Sequence, residues 1–429
     1  MYNEIIEYFM IITKLPHCSE KTNALFDYLV VFGKERGYDV FSDEAKNILI
    51  RKGKPTLALQ AHYDMVCMGK APNIETYIEE GWMYAKNSSL GADNGIAIAM
   101  MMVLMDKGEA LEFVLTSDEE VGLVGASEIA FPLYATQMLN IDFEDESIVC
   151  IGCAGGADLI AEQKNYKLEE EEGYLYNYEV SVRNLDGGHS GVDIDKGIPN
   201  AIKIIAEYLH EKEVLLSSCE GGERRNSIPA NIIAKLSSKE PLFSNTWVEV
   251  KKLDEKLDLY DSADFLELLY AFKTGVHIYN DEFDLPDTSI NLALVSFKEG
   301  AAKVECSSRS MNAEGLEGIN ELTEELFQKY GFNSSTEYKY PAWKPEINNF
   351  TKYVSDAMQK IFGKSTYEAI HAGLECGLLL ERYPDIKFAS IGPTIEYPHS
   401  TRERVNLESV EKTFNVLKEI IIKTKEIKL

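Results

Sequence analysis

Several apolar runs in this chain end on a side chain that can hold a cation. Thr56-Leu57-Ala58-Leu59-Gln60-Ala61 leads into His62 and Asp64, an H-x-D pair. Leu111 to Leu115 leads through Thr116 into an acidic group containing Glu119 and Glu120, and Met138 to Ile141 leads into Asp142. Phe388 to Ile391 precedes a turn that carries His399, in Tyr397-Pro398-His399-Ser400. Asp93 stands apart, among the small residues of Leu90-Gly91-Ala92-Asp93-Asn94-Gly95.

Two imidazoles and three carboxylates can hold a pair of divalent ions about 3.5–4 Å apart, one carboxylate bridging them. The small neighbours of Asp93 permit the tight backbone that a bridging ligand needs. A carboxylate left over beside the ions can act as a general base toward water. Each residue alone has a plainer reading. A lone histidine after a strand is more often a satisfied core or surface residue, and an acidic pair is usually solvated. The recurrence of such strand ends favours a metal site.

Those runs must be positioned by a sheet. Apolar strands alternating with helices, such as the Ala-, Ile- and Met-rich Asn94 to Lys107, predict an α/β domain with helices on both sheet faces. Polar residues just past strand C-termini then gather at one edge, where ligands bind. Glu119 and Glu120 are adjacent and would point to opposite sides of a strand, so an irregular backbone is expected there. A helix is expected over Tyr2 to Ile12, and another over Glu20 to Gly37 with Ser19 as its N-cap.

The middle of the chain changes character. Strands are expected at Asn177 to Val182, Asn231 to Ser237 and Ser335 to Tyr340, with a hairpin over Ser289 to Cys306 turning at Glu299-Gly300. Helices are expected at Asn200 to Glu211, Ala263 to Phe272 and Ile319 to Tyr330. The pattern predicts an α+β domain at 175–340, inserted into a catalytic domain made of 1–174 and 341–429.

With 429 residues the chain is long enough for more than one core. Its 71 acidic and 43 basic residues give a formal charge of −28, a field that disfavours nucleic acid and anionic membrane as partners. Seven cysteines are thinly spread and show no disulfide framework, which suits a reducing compartment. Cys150 and Cys153 form a C-x-x-C without a second pair and are expected to be ordinary buried thiols. The N-terminus lacks a signal-peptide pattern and no stretch has the length of a membrane span, so a cytoplasmic location is expected.

Six stretches together resemble one family. They are Leu59-Gln60-Ala61-His62-Tyr63-Asp64-Met65-Val66, Leu90-Gly91-Ala92-Asp93-Asn94-Gly95, Thr116-Ser117-Asp118-Glu119-Glu120-Val121-Gly122, Gly187-Gly188-His189-Ser190-Gly191, Arg225-Asn226-Ser227-Ile228-Pro229 and Ile370-His371-Ala372-Gly373-Leu374-Glu375-Cys376-Gly377. They resemble, in order and over nearly the whole chain, the dinuclear zinc peptidases that include carboxypeptidase G, aminoacylase and carnosinase. The aminoacyl-histidine dipeptidase branch is the most similar.

The resemblance implies that His62, Asp93 and Asp142 hold one Zn²⁺ and that Asp93, Glu120 and His399 hold a second, with Co²⁺ or Mn²⁺ as possible substitutes. It implies Glu119 as general base and acid, Asp64 as the partner that fixes the His62 tautomer, and His189 as the donor that stabilises an oxyanion. The inserted domain would then be a lid that also forms a homodimer interface. Asn226, Arg309, His371 and Glu375 are candidates for binding the substrate termini. Arg309 suits a peptide carboxylate, and Glu375 an amino group by charge. The implied activity is hydrolysis of dipeptides, of Xaa-His or broader type. Hydrolysis of N-acyl amino acids at the same site, and metal or ligand binding without catalysis, are the alternatives.

Overall fold

The computed structural model describes residues 2–169 and 173–427. The chain divides into two compact units, Met1–Cys153 with Pro345–Ala369 and Leu374–Leu429, and Ala154–Lys344 with Ile370–Gly373.

The first unit is built on an eight-stranded mixed sheet. At its centre Glu112–Thr116, Leu57–His62, Gln137–Asn140 and Lys387–Ser390 lie side by side and parallel. Every residue of Leu57–His62 and Glu112–Thr116 is buried, as expected of strands covered on both faces. The helix Ala92–Asp106 is apolar around nearly its whole circumference and buried along almost its whole length. The register pairs His62 with Thr116 and Gln60 with Asn140, so these strands end at one edge. That edge receives the segments that follow them.

The second unit is a nine-stranded antiparallel sheet. Its core forms where the helices Ala201–Leu209, Ala263–Ala271 and Ala313–Lys329 meet the strands, with Ile205, Phe265, Leu268 and Phe327 packed among Val180, Leu236, Leu292 and Phe297. The hairpin of Leu285–Lys298 and Ala301–Ser310 turns at Glu299-Gly300. This unit begins at Ala154 rather than at 175. The reason is Gly155–Lys164, a strand that pairs with both Ala301–Ser310 and Asn333–Tyr340.

Two local expectations are corrected. The helix after Ser19 spans only Asn23–Glu35, and Ser19 does not cap it. The Ser19 hydroxyl instead donates to Asp64 Oδ2 at 2.8 Å. Cysteine spacing suggested no disulfide, yet Cys18 and Cys67 are bonded, with Cα atoms 5.4 Å apart. The segment after His62 runs beside residues 17–19, where Met65 N–H donates to the His17 carbonyl and Ser19 N–H to that of Met65. Such a pairing of separate segments leaves no mark in cysteine spacing. The other five cysteines, Cys150 and Cys153 among them, are buried and form no disulfide. Among the described residues no helix is long and apolar enough to cross a membrane.

Candidate metal centre and its surroundings

The edge of the parallel strands collects the predicted acidic and imidazole side chains. His62 is the last residue of its strand and 1% exposed. Its Nε2 lies 3.1 Å from Asp93 Oδ1 and 3.2 Å from Asp142 Oδ1. His399 Nε2 lies 3.1 Å from the other Asp93 oxygen, Oδ2, and 2.9 Å from Glu120 Oε2. Asp93 therefore turns one oxygen toward each imidazole.

Local backbone explains how these side chains converge. Asp93 and Asn94 depart from helical geometry at the start of their helix. The Asn94 amide then donates to Asp142 Oδ1. Glu119 and Glu120 sit on a single 3₁₀ turn, Glu119–Val121, entered through Asp118 at φ 54° and left through Gly122 at φ 111°. That turn is the irregular backbone which adjacent carboxylates required. Asp64 ties the pieces together. Its carboxylate accepts the Glu119 N–H at 3.0 Å, the Glu120 N–H at 3.4 Å and the Ser19 hydroxyl. His62 Nδ1 is 3.1 Å from the Asp64 carbonyl oxygen and 3.4 Å from its carboxylate, so Nδ1–H donates chiefly to the carbonyl. Nε2 then faces Asp93 and Asp142, donating its proton to them and becoming a ligand atom once a cation displaces that proton.

The donor set fits divalent cations. Around a tetrahedral ion with N and O ligands about 2.0–2.1 Å away, neighbouring ligand atoms sit about 3.3 Å apart. The 2.9–3.2 Å separations found here are close to that edge length. One atom each of His62, Asp93 and Glu120 lies within 4.8 Å of the others. Glu120 Oε1 is buried with no hydrogen-bond partner, as a second ligand atom or a cation-facing oxygen would be.

The electrostatics carry the same message. Burial raises the Glu119 carboxyl well above its usual range, with His62 opposing and Glu120, Asp142 and Glu375 adding to the rise. Burial also raises Glu120 and Asp142. Burial disfavours a charged His62, but Asp142, Asp64 and Asp93 outweigh it and lift the imidazole well above its usual value. The same contest at His399, with Asp93 and Glu120 as partners, ends at about 11. Asp93 is held low by hydrogen bonds from both imidazoles, against burial. So many buried carboxylates in one cage call for positive charge, and a cation bound by the imidazoles must displace their protons.

Glu375 lies deeper and is fully buried. Its Oε2 accepts from Gln60 Nε2 at 2.5 Å and Thr116 Oγ1 at 2.7 Å, while Oε1 has no partner. Burial raises this carboxyl to about 7, against the pull of His62 and with a push from Asp142.

The second unit brings together a different set. His189 pairs through its backbone with Ser227, and its Nδ1 accepts N–H groups from Gly191 at 3.1 Å and Val192 at 3.2 Å. An Nδ1 that accepts carries no proton, so Nε2 is the donor of the neutral ring. Arg309 is 7% exposed and donates to the Tyr340 hydroxyl at 2.8 Å. Its Nε has no partner, and among the described residues no carboxylate forms an ion pair with it. His371 meets the Ser289 hydroxyl at 2.6 Å, and burial together with the Arg309 charge pushes its pKa down to about 3. Gly191 lets the three approach. A Cβ there would stand 2.4 Å from the His371 carbonyl oxygen, 3.1 Å from His189 Cε1 and 3.2 Å from Arg309 Nε. Asn226 is exposed and its carbonyl accepts the Ser190 N–H.

Ser19 was read only as a helix cap, and Asn94, Gln60 and Thr116 were given no role at the site from the sequence. Only the placement of distant segments shows that they hold Asp64, Asp142 and Glu375. Gln60 and Thr116 had one available signal, since each is a polar residue adjoining an apolar run of its strand.

Residues 58–423 match the model of peptidase family M20/M25/M40. The chain is 33% identical to the cytosol non-specific dipeptidase of Escherichia coli (strain K12), over 96% of this chain and 95% of that protein. The aminoacylhistidine dipeptidase of Vibrio alginolyticus superposes with a TM-score of 0.82 at 29% identity, covering 98% and 96% of the two chains. A tripeptidase of Staphylococcus aureus shares the fold at 16% identity and a TM-score of 0.60, over 99% and 98%. The chain belongs to peptidase family M20/M25/M40 and is a peptide hydrolase.

Proposed function

We propose that this chain is a cytoplasmic dipeptidase that works with two divalent ions, zinc by its ligand types. The observation that carries the reading is the Asp93 carboxylate, whose two oxygens each lie 3.1 Å from a different imidazole. His62, Asp93 and Asp142 would hold one ion, and Asp93, Glu120 and His399 the other. When bound, such ions supply Lewis acidity and bring the pKa of an attacking water from about 15.7 toward about 7.

The chain's own residues do the rest. Glu119 takes the proton of the attacking water and passes it to the amine as the C–N bond breaks. Its raised pKa suits a group that must both accept and return a proton. Asp64 holds the backbone of Glu119 and Glu120 and keeps Nε2 of His62 free. His189 offers Nε2–H to the carbonyl oxygen as charge develops. Arg309, buried and without an ion pair among the described residues, is the candidate for the peptide's carboxylate. Glu375, with one unpartnered oxygen, is the candidate for the amino end. His371 and Asn226 support these contacts.

The names of the relatives favour dipeptides, and an Xaa-His or broader preference both agree with them. The second unit would serve as lid and as the interface of a homodimer.

The test is a substrate panel on purified protein, with and without chelator. β-Alanyl-histidine or ordinary dipeptides should be cleaved, activity should fall with chelator, and Zn²⁺, Co²⁺ or Mn²⁺ should restore it. Cleavage of acetyl-amino acids alone would replace the reading with a deacylase. Bound ions with no hydrolysis of either class would leave a binding protein.

A further inference from the structure

Glu403 has no part in the site as read above, yet it is only 3% exposed and carries an unusual load. Its carboxylate accepts from four successive backbone N–H groups. Oε2 takes those of Leu90 at 2.7 Å and Gly91 at 3.0 Å, and Oε1 takes those of Ala92 at 2.7 Å and Asp93 at 3.3 Å. These N–H groups belong to the segment that delivers Asp93, where helical geometry is broken and the helix supplies no partners for them.

The other end of Glu403 matters equally. It stands four residues beyond His399, on the same connection between Ile395–Glu396 and Arg404–Asn406. That connection is otherwise open. His399 has a side chain 49% exposed, Tyr397 is 48% exposed, and both adopt positive φ, 55° and 56°. One buried carboxylate therefore joins the exposed turn of one imidazole to the backbone of the aspartate it must face.

We propose that Glu403 is a positioning residue that sets the register of His399 against Asp93, and with it the affinity of the half of the centre that His399 serves. The other half shares Asp93 but depends on Glu403 less, because His62 is the last residue of a buried strand and Asp142 follows another strand by two residues. The inference rests on the two-ion reading proposed above.

A built-in control separates positioning from mere stability. Glu112 is also fully buried, and its carboxylate accepts backbone N–H groups from Tyr134 at 3.0 Å and Ala135 at 2.9 Å. It begins its strand, at the end away from Thr116 and the cage. The experiment measures Zn²⁺ bound per chain by equilibrium dialysis over a chelator series, with a melting curve of each metal-free protein. Wild type should bind two ions. Glu403→Gln should lose one of them at a free-ion concentration about 10–100-fold higher than wild type does, the range typical for partners that orient ligands. The second ion should move little. Glu112→Gln should lower the melting temperature and leave both affinities unchanged. In a His399→Ala background Glu403→Gln should add no further loss.

Wild type that binds fewer than two ions would defeat the two-ion reading itself. Two ions in wild type with unshifted affinities in Glu403→Gln would overturn the inference alone, as would an equal loss of both ions. Glu403→Asp keeps both oxygens on a shorter stem and carries the same test, with loss of the same one ion ahead of the other, should the glutamine variant not fold.

Discussion

The two units gather opposite kinds of charge. The first gathers Asp64, Asp93, Asp142, Glu119 and Glu120 around two imidazoles at the edge of a parallel sheet. The second brings an arginine and two histidines to one glycine, and among the described residues no carboxylate is ion-paired to the arginine. Buried charge is costly unless something compensates it, whether it is a cluster of carboxylates or a single guanidinium beside two neutral imidazoles. The first cluster therefore calls for cations and the second for an anionic group. The lesson is that each site is incomplete in a way that names its ligand, and that the incompleteness is visible as raised carboxyls in one unit and an unpaired guanidinium in the other.

Experiments that remove one charge at a time should break this contrast unequally. Glu119→Ala should lower kcat by about 10²–10⁴-fold while ions bound per chain stay as in wild type. Loss of the ions together with activity would move Glu119 from base to ligand. His189→Ala should lower kcat by about 10²–10³-fold with little change in KM, if its Nε2–H acts on developing charge alone. A pure rise in KM would make it a substrate-binding residue.

Arg309→Ala should act on the other side of the contrast. It should cost about 1.5–3 kcal/mol in kcat/KM for a dipeptide with a free carboxylate, and much less for its amide. Arg309→Lys should recover part of the loss at most, since an ammonium cannot form the two-pronged contact. Equal losses on acid and amide would sink the assignment.

The smallest effect concerns pH. Glu375 has a folded pKa of about 7 against an ordinary value of 4.5. The folded chain holds the extra proton between these values, so the contribution to stability is complete below about 4.5 and is lost as pH rises through about 7. Melting curves of metal-free protein should therefore show Glu375→Gln gaining on wild type over that window. Parallel curves for the two proteins would mean that Glu375 does not titrate there.

Much of the fold was legible because its signals are local. The apolar strands and the Ala-Ile-Met helix carry their periodicity in a few residues, and the hairpin announces its turn at Glu299-Gly300. The strand Gly155–Lys164 was missed as part of the second sheet because its partners lie far along the chain. Ser19 looked like a helix cap for a related reason. A serine before an apolar run fits that role locally, but a carboxylate 45 positions away claims its hydroxyl.

By itself the sequence determined which chemical groups are available and that the strand ends would carry them, since residue type and apolar patterning are properties of short stretches. Tertiary structure alone decided how those groups meet. It turned one Asp93 oxygen to each imidazole, set the proton of His189 on Nε2, joined Cys18 to Cys67, and placed the Glu403 carboxylate on N–H groups some 310 positions away. Hydrogen bonds and ion contacts act over a few ångströms of space whatever the distance along the chain, so no spacing in the sequence records them.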